Sequence, residues 1–166
     1  GDGNGDGVPD TVQAHVASLL EAGDGVSRAG DSYVSIEVEP VAGTCQRLEN
    51  AHGLPSTAFP VDSGHESPFG MVRLDLNNCT QARLHLRYHG GSFDPAWRFR
   101  VYAPVDPGQM HTYAWRDLPF TRDGQTWTIT LTDNQLGDLR ASDNAILFQG
   151  GPALSETLFT NGFELP

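Results

Sequence analysis

The sequence has little positive charge and no long apolar run. Its 10 basic residues are all arginine, and they stand against 21 acidic residues for a formal net charge of −11. Nucleic acids and anionic membrane surfaces repel such a chain, so neither is expected as a partner. A transmembrane helix needs about 20 consecutive apolar residues, and no run approaches that length. The negative charge instead predicts a protein surface that attracts cations.

Glycine and proline are abundant and indicate the kind of fold. Together, 19 glycines and 11 prolines interrupt a chain of 166 residues, of which 38% are hydrophobic. This composition favours many turns and short strands over long helices. The length is sufficient for one domain with a hydrophobic core.

Oxygen-bearing side chains alternate with glycine over the first ten residues. They are Asp2, Asn4, Asp6 and Asp10, and a glycine follows the third of them. In an EF-hand loop, side chains at positions 1, 3 and 5, the carbonyl at 7 and an oxygen at 9 bind calcium, with glycine at 6. The spacing therefore predicts Ca²⁺ ligands at Asp2, Asn4, Asp6, the Val8 carbonyl and Asp10. Ligation by oxygen alone favours calcium over zinc or copper; the alternative is a flexible linker.

The loop departs from the EF-hand pattern at position 12, where Gln13 replaces the bidentate glutamate. Either the affinity is modest, as in extracellular modules working at about 10⁻⁴–10⁻³ M calcium, or a carboxylate from elsewhere completes the site. Residues 11–20 are predicted to form a short helix with Val12, Val16, Leu19 and Leu20 near one face. Residues 1–22 would then be half an EF-hand. Because the sequence starts within this motif and shows no signal peptide, we expect it to be part of a longer protein.

The sequence has only two cysteines, Cys45 and Cys79. They could form a disulfide or remain as two buried thiols. The extracellular character of the calcium loop favours the disulfide. No Cys-x-x-Cys spacing exists, so a metal role for the pair is not expected.

From residue 31 the apolar residues recur at every second position. Residues 21–30 are expected to be a linker, and residues 46–68, which lack clear alternation, to be long loops with at most one irregular strand. The candidate strands cover residues 34–38, 72–76, 82–88, 97–101, 111–115, 127–131 and 145–148. Asp123-Gly124 marks a hairpin turn. Strands with one apolar face predict an all-β, antiparallel, jelly-roll-like β-sandwich over residues 31–152.

The last segment, residues 153–166, differs in character from the strands. Phe159 and Phe163 flank an Asn161-Gly162 turn. We expect the turn to bring both rings onto the sandwich, so that the tail docks. The alternative is a free sorting signal.

Several segments, taken in order, resemble the bacterial choice-of-anchor U domain, which opens with a thrombospondin type 3-like calcium motif. The similar segments after the loop are QAHVASL (13–19), YVSIEV (33–38), Cys45, PFGMV (68–72), HTYAW (111–115), TLTDNQLGD (130–138) and AILFQGGPA (145–153). The ending FTNGFE (159–164) also resembles a short terminal motif of secreted proteins from some Gram-negative bacteria.

This resemblance implies a non-catalytic module of an exported bacterial surface protein, serving display or anchoring. Its expected partners are calcium and the cell-envelope or sorting machinery. Related domains carry an acidic cluster after the Leu-Gly-Asp segment, whereas Leu139 and Arg140 follow Asp138 here. A second calcium site at Asp133, Asp138 and Asp143 is therefore not predicted.

Two other functions compete with this interpretation. A calcium-dependent carbohydrate-binding module on a β-sandwich would use exposed aromatic residues. Trp97, Trp115 and Trp127 lie in the apolar phase of their strands or beside other aromatics, so core packing is expected for all three. An enzyme is not expected, because His65-Glu66-Ser67 has triad residue types but no nucleophile elbow.

Overall fold

Two antiparallel sheets face each other across an apolar interior. The computed structural model describes residues 1–20, 33–107, 109, 112–141 and 143–155. Its strands are β1 (Val16–Leu20), β2 (Tyr33–Gly43), β3 (Glu49–Leu54), β4 (His65–Glu66), β5 (Met71–Leu76), β6 (Cys79–Tyr88), β7 (Trp97–Pro104), β8 (Tyr113–Asp117), β9 (Phe120–Asp123), β10 (Thr126–Thr132) and β11 (Ile146–Ser155). Short 3₁₀ helices cover Asp10–Val12 and Ser56–Ala58.

The five-stranded sheet has the order β1-β2-β6-β10-β9, and the six-stranded sheet has the order β3-β5-β11-β7-β8, with β4 paired to β11. The alternation of apolar and polar residues along the strands explains why the two sheets pack face to face. In β6, Ala82, Leu84 and Leu86 are fully buried, while the residues between them face outward. Among the described residues, each predicted strand overlaps an observed one, and the predicted antiparallel β-sandwich is confirmed.

The hairpin predicted at Asp123-Gly124 is also confirmed. It joins β9 to β10, with Asp123 opposite Thr126 in the pairing register. Gly124 has a φ of +58°, a left-handed conformation that glycine adopts without steric cost.

The helix predicted for residues 11–20 is wrong. After the 3₁₀ turn, Val16–Leu20 pair antiparallel with β2, so Val16 lies opposite Glu37 and Leu20 opposite Tyr33. An isolated helix of this length is marginal in water. The free edge of β2 offers every residue of the segment a backbone partner, and tertiary pairing overrides the helical pattern. The loop in which calcium ligands are predicted is therefore followed by an edge strand, unlike an EF-hand.

Residues 46–68 contain more regular structure than the expected loops. β3 and β4 lie here, at the edge of the six-stranded sheet and on β11 respectively. The side chains of β3 are half-buried or exposed, so this strand lacks the alternation that reveals the others.

The predicted disulfide between Cys45 and Cys79 is confirmed, with sulfur atoms 2.06 Å apart and both residues fully buried. It joins the segment that follows β2 to the first residue of β6. The bridge therefore fixes the short connection between β2 and β3 against the start of β6.

The last described strand extends beyond residue 152. Leu154 lies opposite Trp97 of β7 and opposite Glu66 of β4, so residues 153–155 of the predicted tail belong to the sheet. Phe159 and Phe163 lie outside the described residues, as does the linker predicted at 21–30. Among the residues that the structure covers, no helix is long and apolar enough to cross a membrane.

The three tryptophans occupy two different environments. Trp97 and Trp127 are in the core, with 8% and 0% of their surface exposed, as predicted. Trp115 is directly opposite Tyr102, whose neighbours Val101 and Ala103 point into the core. Trp115 and Tyr102 therefore share the outer face of the six-stranded sheet, and the prediction of core packing was wrong for Trp115.

Candidate metal centres

The first loop wraps around the carboxylate of Asp2. Its Oδ1 atom accepts hydrogen bonds from the backbone nitrogens of Gly5 (2.8 Å) and Asp6 (3.1 Å), and Oδ2 accepts one from Gly7 (2.8 Å). Gly5 and Gly7 have φ values of +78° and +87°, which the loop requires and most residues avoid. The glycines between the oxygen-bearing residues thus allow the turn that the sequence pattern predicted.

Asp6 gathers the other polar side chains of the loop. Its Oδ1 accepts the backbone N–H of Val8 (2.8 Å), and Oδ2 accepts the side-chain nitrogens of Gln13 (2.6 Å) and Asn4 (3.1 Å). The hydrogen bond from Val8, followed by that from Gln13, lowers the pKa of Asp6. This carboxylate is charged at neutral pH.

Two further oxygens lie at this group. Gln13 Oε1 is buried and has no hydrogen-bond partner among the described residues. Glu37 of β2 brings a carboxylate from elsewhere in the fold, because its Oε2 accepts a hydrogen bond from Asn4 Nδ2 at 3.3 Å. Gln13 and Glu37 thus lie beside Asp6 and Asn4 respectively, through contacts between amide nitrogens and carboxylate oxygens.

Asp10 is turned into the fold and attaches the loop to the sheet. Only 9% of its surface is exposed. Its Oδ1 accepts the Gly3 backbone N–H (2.9 Å) and its Oδ2 accepts the Ser18 hydroxyl (2.5 Å). The Ser18 hydroxyl lies 3.0 Å from that of Ser35, which lies 2.9 Å from Nε2 of His89. This chain of contacts crosses β1 and β2 and ends on the residue after β6.

Gly3 lies where the loop approaches the sheet most closely. A Cβ atom on Gly3 would be 2.0 Å from the Ser35 hydroxyl and 2.4 Å from the Ser18 hydroxyl. Only glycine fits this position without a shift of the loop or the strands. The loop is thus packed on the sandwich by both Gly3 and Asp10.

The structure separates the predicted ligands into two groups. Asp2, Asn4 and Asp6 lie together, and Gln13 joins them. Asp10 contributes to the attachment of the loop instead, and its role as an ion ligand stays a prediction. The sequence pattern did not indicate Glu37 as a ligand, because in the alternating strand β2 it occupies an ordinary solvent-facing position.

A second acidic cluster lies in the connection between β10 and β11. Asp133, Asp138 and Asp143 each place a carboxylate oxygen within 4.8 Å of the others, and no other His, Cys, Asp or Glu triplet in the described part of the chain does so. Asp133 Oδ2 accepts the Asn144 backbone N–H at 3.1 Å, which closes the connection on itself. The sequence did not predict a site here, yet the fold brings these carboxylates together.

Asp138 is the buried member of the cluster, with no exposed surface. Its oxygens accept backbone N–H groups from Asn134 (3.0 Å), Arg140 (3.1 Å) and Leu147 (3.1 Å). Burial raises the pKa of Asp138 to about 6, against the lowering effect of these hydrogen bonds. Near neutral pH, three carboxylates at this spacing repel one another unless a proton or a cation offsets their charge.

No protein-family model, curated protein or solved structure matches this chain. The resemblance to the choice-of-anchor U domain therefore stays a prediction. The function must be argued from the geometry of the two acidic centres and from the fold that holds them.

Proposed function

We propose that this chain is a non-catalytic, calcium-binding module of an exported bacterial surface protein, serving display or anchoring. The observation that carries the calcium assignment is the grouping of Asp2, Asn4, Asp6 and Gln13 in one preformed loop, with the Gln13 oxygen buried and unpaired. Carboxylate and amide oxygens are ligands that suit calcium.

The side-chain amides of Asn4 and Gln13 point their nitrogen atoms at Asp6 Oδ2. A cation would be attracted to the same carboxylate. Rotation of each amide by about 180° exchanges the positions of its nitrogen and oxygen atoms. The hydrogen bonds around the amide determine which of these two orientations it adopts. Gln13 loses no acceptor contact on rotation, because its oxygen has no partner among the described residues. Asn4 and Gln13 would then present oxygens to an ion beside Asp2 and Asp6, with Glu37 as an additional carboxylate.

Binding in this loop would stabilise the sandwich as a whole. Asp10 and Gly3 attach the loop to β1 and β2, so the loop geometry depends on the folded sheet. A ligand that binds only the folded form adds about 2.7 kcal/mol to stability at a hundredfold excess over its dissociation constant.

The Asp133–Asp138–Asp143 cluster is the candidate second calcium site of the same module. A divalent cation would offset the repulsion of the three carboxylates and would displace the proton that burial favours on Asp138. Two calcium sites on a strongly acidic chain would suit an exported protein in a calcium-containing medium. The buried disulfide supports the same compartment, because such bridges persist where conditions are oxidising. Display or anchoring rests on the family resemblance.

The experiment combines calorimetric calcium titration with thermal melting in calcium and in chelator. Wild-type protein is expected to bind two ions and to melt at a higher temperature with calcium. Asp6→Ala should remove one ion, and Asp138→Asn the other. Asp10→Ala should lower the melting temperature even in chelator, because it releases the loop from the sheet.

Asp106→Ala is the matched control, since among the residues that the structure describes the side chain of this exposed aspartate bonds only to Gln109 in its own turn. It should leave binding and melting unchanged. Identical melting of the wild type in millimolar calcium and in chelator, with no heat of binding, would contradict the proposal.

A further inference from the structure

A cleft lies on the outer face of the six-stranded sheet, on the opposite side of the sandwich from the sheet that carries the first loop. It has a volume of about 480 Å³, within the range of roughly 300–1,000 Å³ that is common for small-ligand sites. The connection from β3 to β4 forms one wall and β8 forms the other. The lining residues that matter here are Phe59, Asp62, His65, Glu66 and Trp115.

The apolar wall is built from aromatic rings held in fixed positions. Trp115 and Tyr102 pack with ring centroids 5.3 Å apart, and Phe59 lies 5.8 Å from Trp115. The Trp115 indole N–H donates to the Pro60 carbonyl at 2.8 Å. This bond fixes the orientation of a half-buried indole ring whose polar edge is already satisfied.

The polar side of the cleft is rich in acceptors. The guanidinium of Arg100 bonds to Asp62 through two nitrogens, at 2.8 and 2.6 Å, and to Asp117 at 2.7 Å. Asp62 is thereby held in place, with 8% of its side chain exposed. The carboxylate of Glu66 is exposed and makes no hydrogen bond or ion pair with the part of the chain that the structure covers.

From this arrangement we infer that the cleft binds a neutral saccharide. A sugar ring presents C–H groups on its face and hydroxyl donors at its edge, which match the aromatic wall and the carboxylate acceptors respectively. The two carboxylates that line the cleft, Asp62 and Glu66, disfavour an anionic ligand. A purely apolar ligand would bury polar groups without partners.

The saccharide site extends the proposed function and does not depend on it. The proposed calcium ligands belong to the first loop, to β2 and to the connection between β10 and β11, and none of them lines the cleft. Removal of calcium is therefore expected to leave saccharide affinity unchanged under conditions in which the protein stays folded. Failure of calcium binding and failure of saccharide binding are separate results.

The test is a titration of the folded chain with soluble neutral hexasaccharides of glucose, xylose, mannose and N-acetylglucosamine, in chelator and in calcium. Binding is followed by calorimetry and by the nuclear magnetic resonance signal of the Trp115 indole N–H, which Trp115→Phe identifies. We expect at least one hexasaccharide to bind and to shift this signal. Trp115→Ala and Glu66→Gln should each weaken binding by about tenfold or more.

Tyr33→Ala is the control, because it removes a half-buried aromatic ring from the other sheet. It should leave saccharide binding unchanged. Glu66→Gln keeps the size of an exposed side chain, so it tests the cleft even if Trp115→Ala fails to fold. The inference is overturned by no binding to any of the four sugars at 10 mM, or by binding that both cleft variants retain.

Discussion

Removal of the Cys45–Cys79 bridge should cost a large part of the stability of this domain. The cysteines are separated by 34 residues in sequence. With that loop length, the chain-entropy relation gives about 12.6 cal/mol/K, or about 3.8 kcal/mol at 25 °C. Domains of this kind have total stabilities of about 5–15 kcal/mol. At about 2–4 °C per kcal/mol for a chain of this size, the melting temperature should fall by about 8–15 °C.

The measurement is urea unfolding of the wild type and of the double variant Cys45→Ala/Cys79→Ala without reductant. A thiol count on the unfolded, unreduced wild type should find no free thiol. Once the wild type has been fully reduced in urea, the two proteins should unfold at similar urea concentrations, which separates the bridge from the effect of the alanines. A difference below about 1 kcal/mol without reductant would refute the reasoning.

Two further predictions concern pH and chain length. Because the pKa of Asp138 rises from 3.8 to about 6 on folding, its contribution to stability is fully present below pH 3.8 and is lost as pH rises through 6. In chelator, the stability of the wild type relative to Asp138→Asn should therefore fall by up to about 3 kcal/mol between pH 4 and pH 8, and a pH-independent difference in urea unfolding would contradict this. A chain ending at Pro152 should melt below one ending at Ser155, because Leu154 pairs with both β7 and β4; equal melting would show that these pairs contribute nothing.

The sandwich could be predicted because its central strands alternate strictly. Ile36, Leu84 and Ile129 lie at positions whose neighbours in sequence face the other way, and all three are buried. Four short strands were not predicted as strands. β1, β3 and β9 lie at sheet edges, and β4 pairs with β11 over only two residues, so burial does not impose a pattern on any of them. Only the partner strand determines their conformation.

The local geometry of the first loop could be predicted in part, because the spacing of its oxygen-bearing residues determines which of them come together. The attachment through Asp10 could not, since it depends on Ser18 and Ser35 from two strands whose pairing the sequence does not reveal. The same limit applies to Trp115. An aromatic residue at an apolar position of an alternating strand has the pattern of a core residue. Only the pairing of Trp115 with Tyr102 shows that its side chain faces outward.

The place of β11 in its sheet determines when this module can fold. β11 lies between β5 and β7, although it follows every other described strand in the chain. Until β11 is present, the pair β3-β5 and the pair β7-β8 have no strand to join them. The half-built sheet stays open. Arrival of β11 then joins the two pairs, so the six-stranded sheet forms late and through contacts between strands that are far apart in sequence.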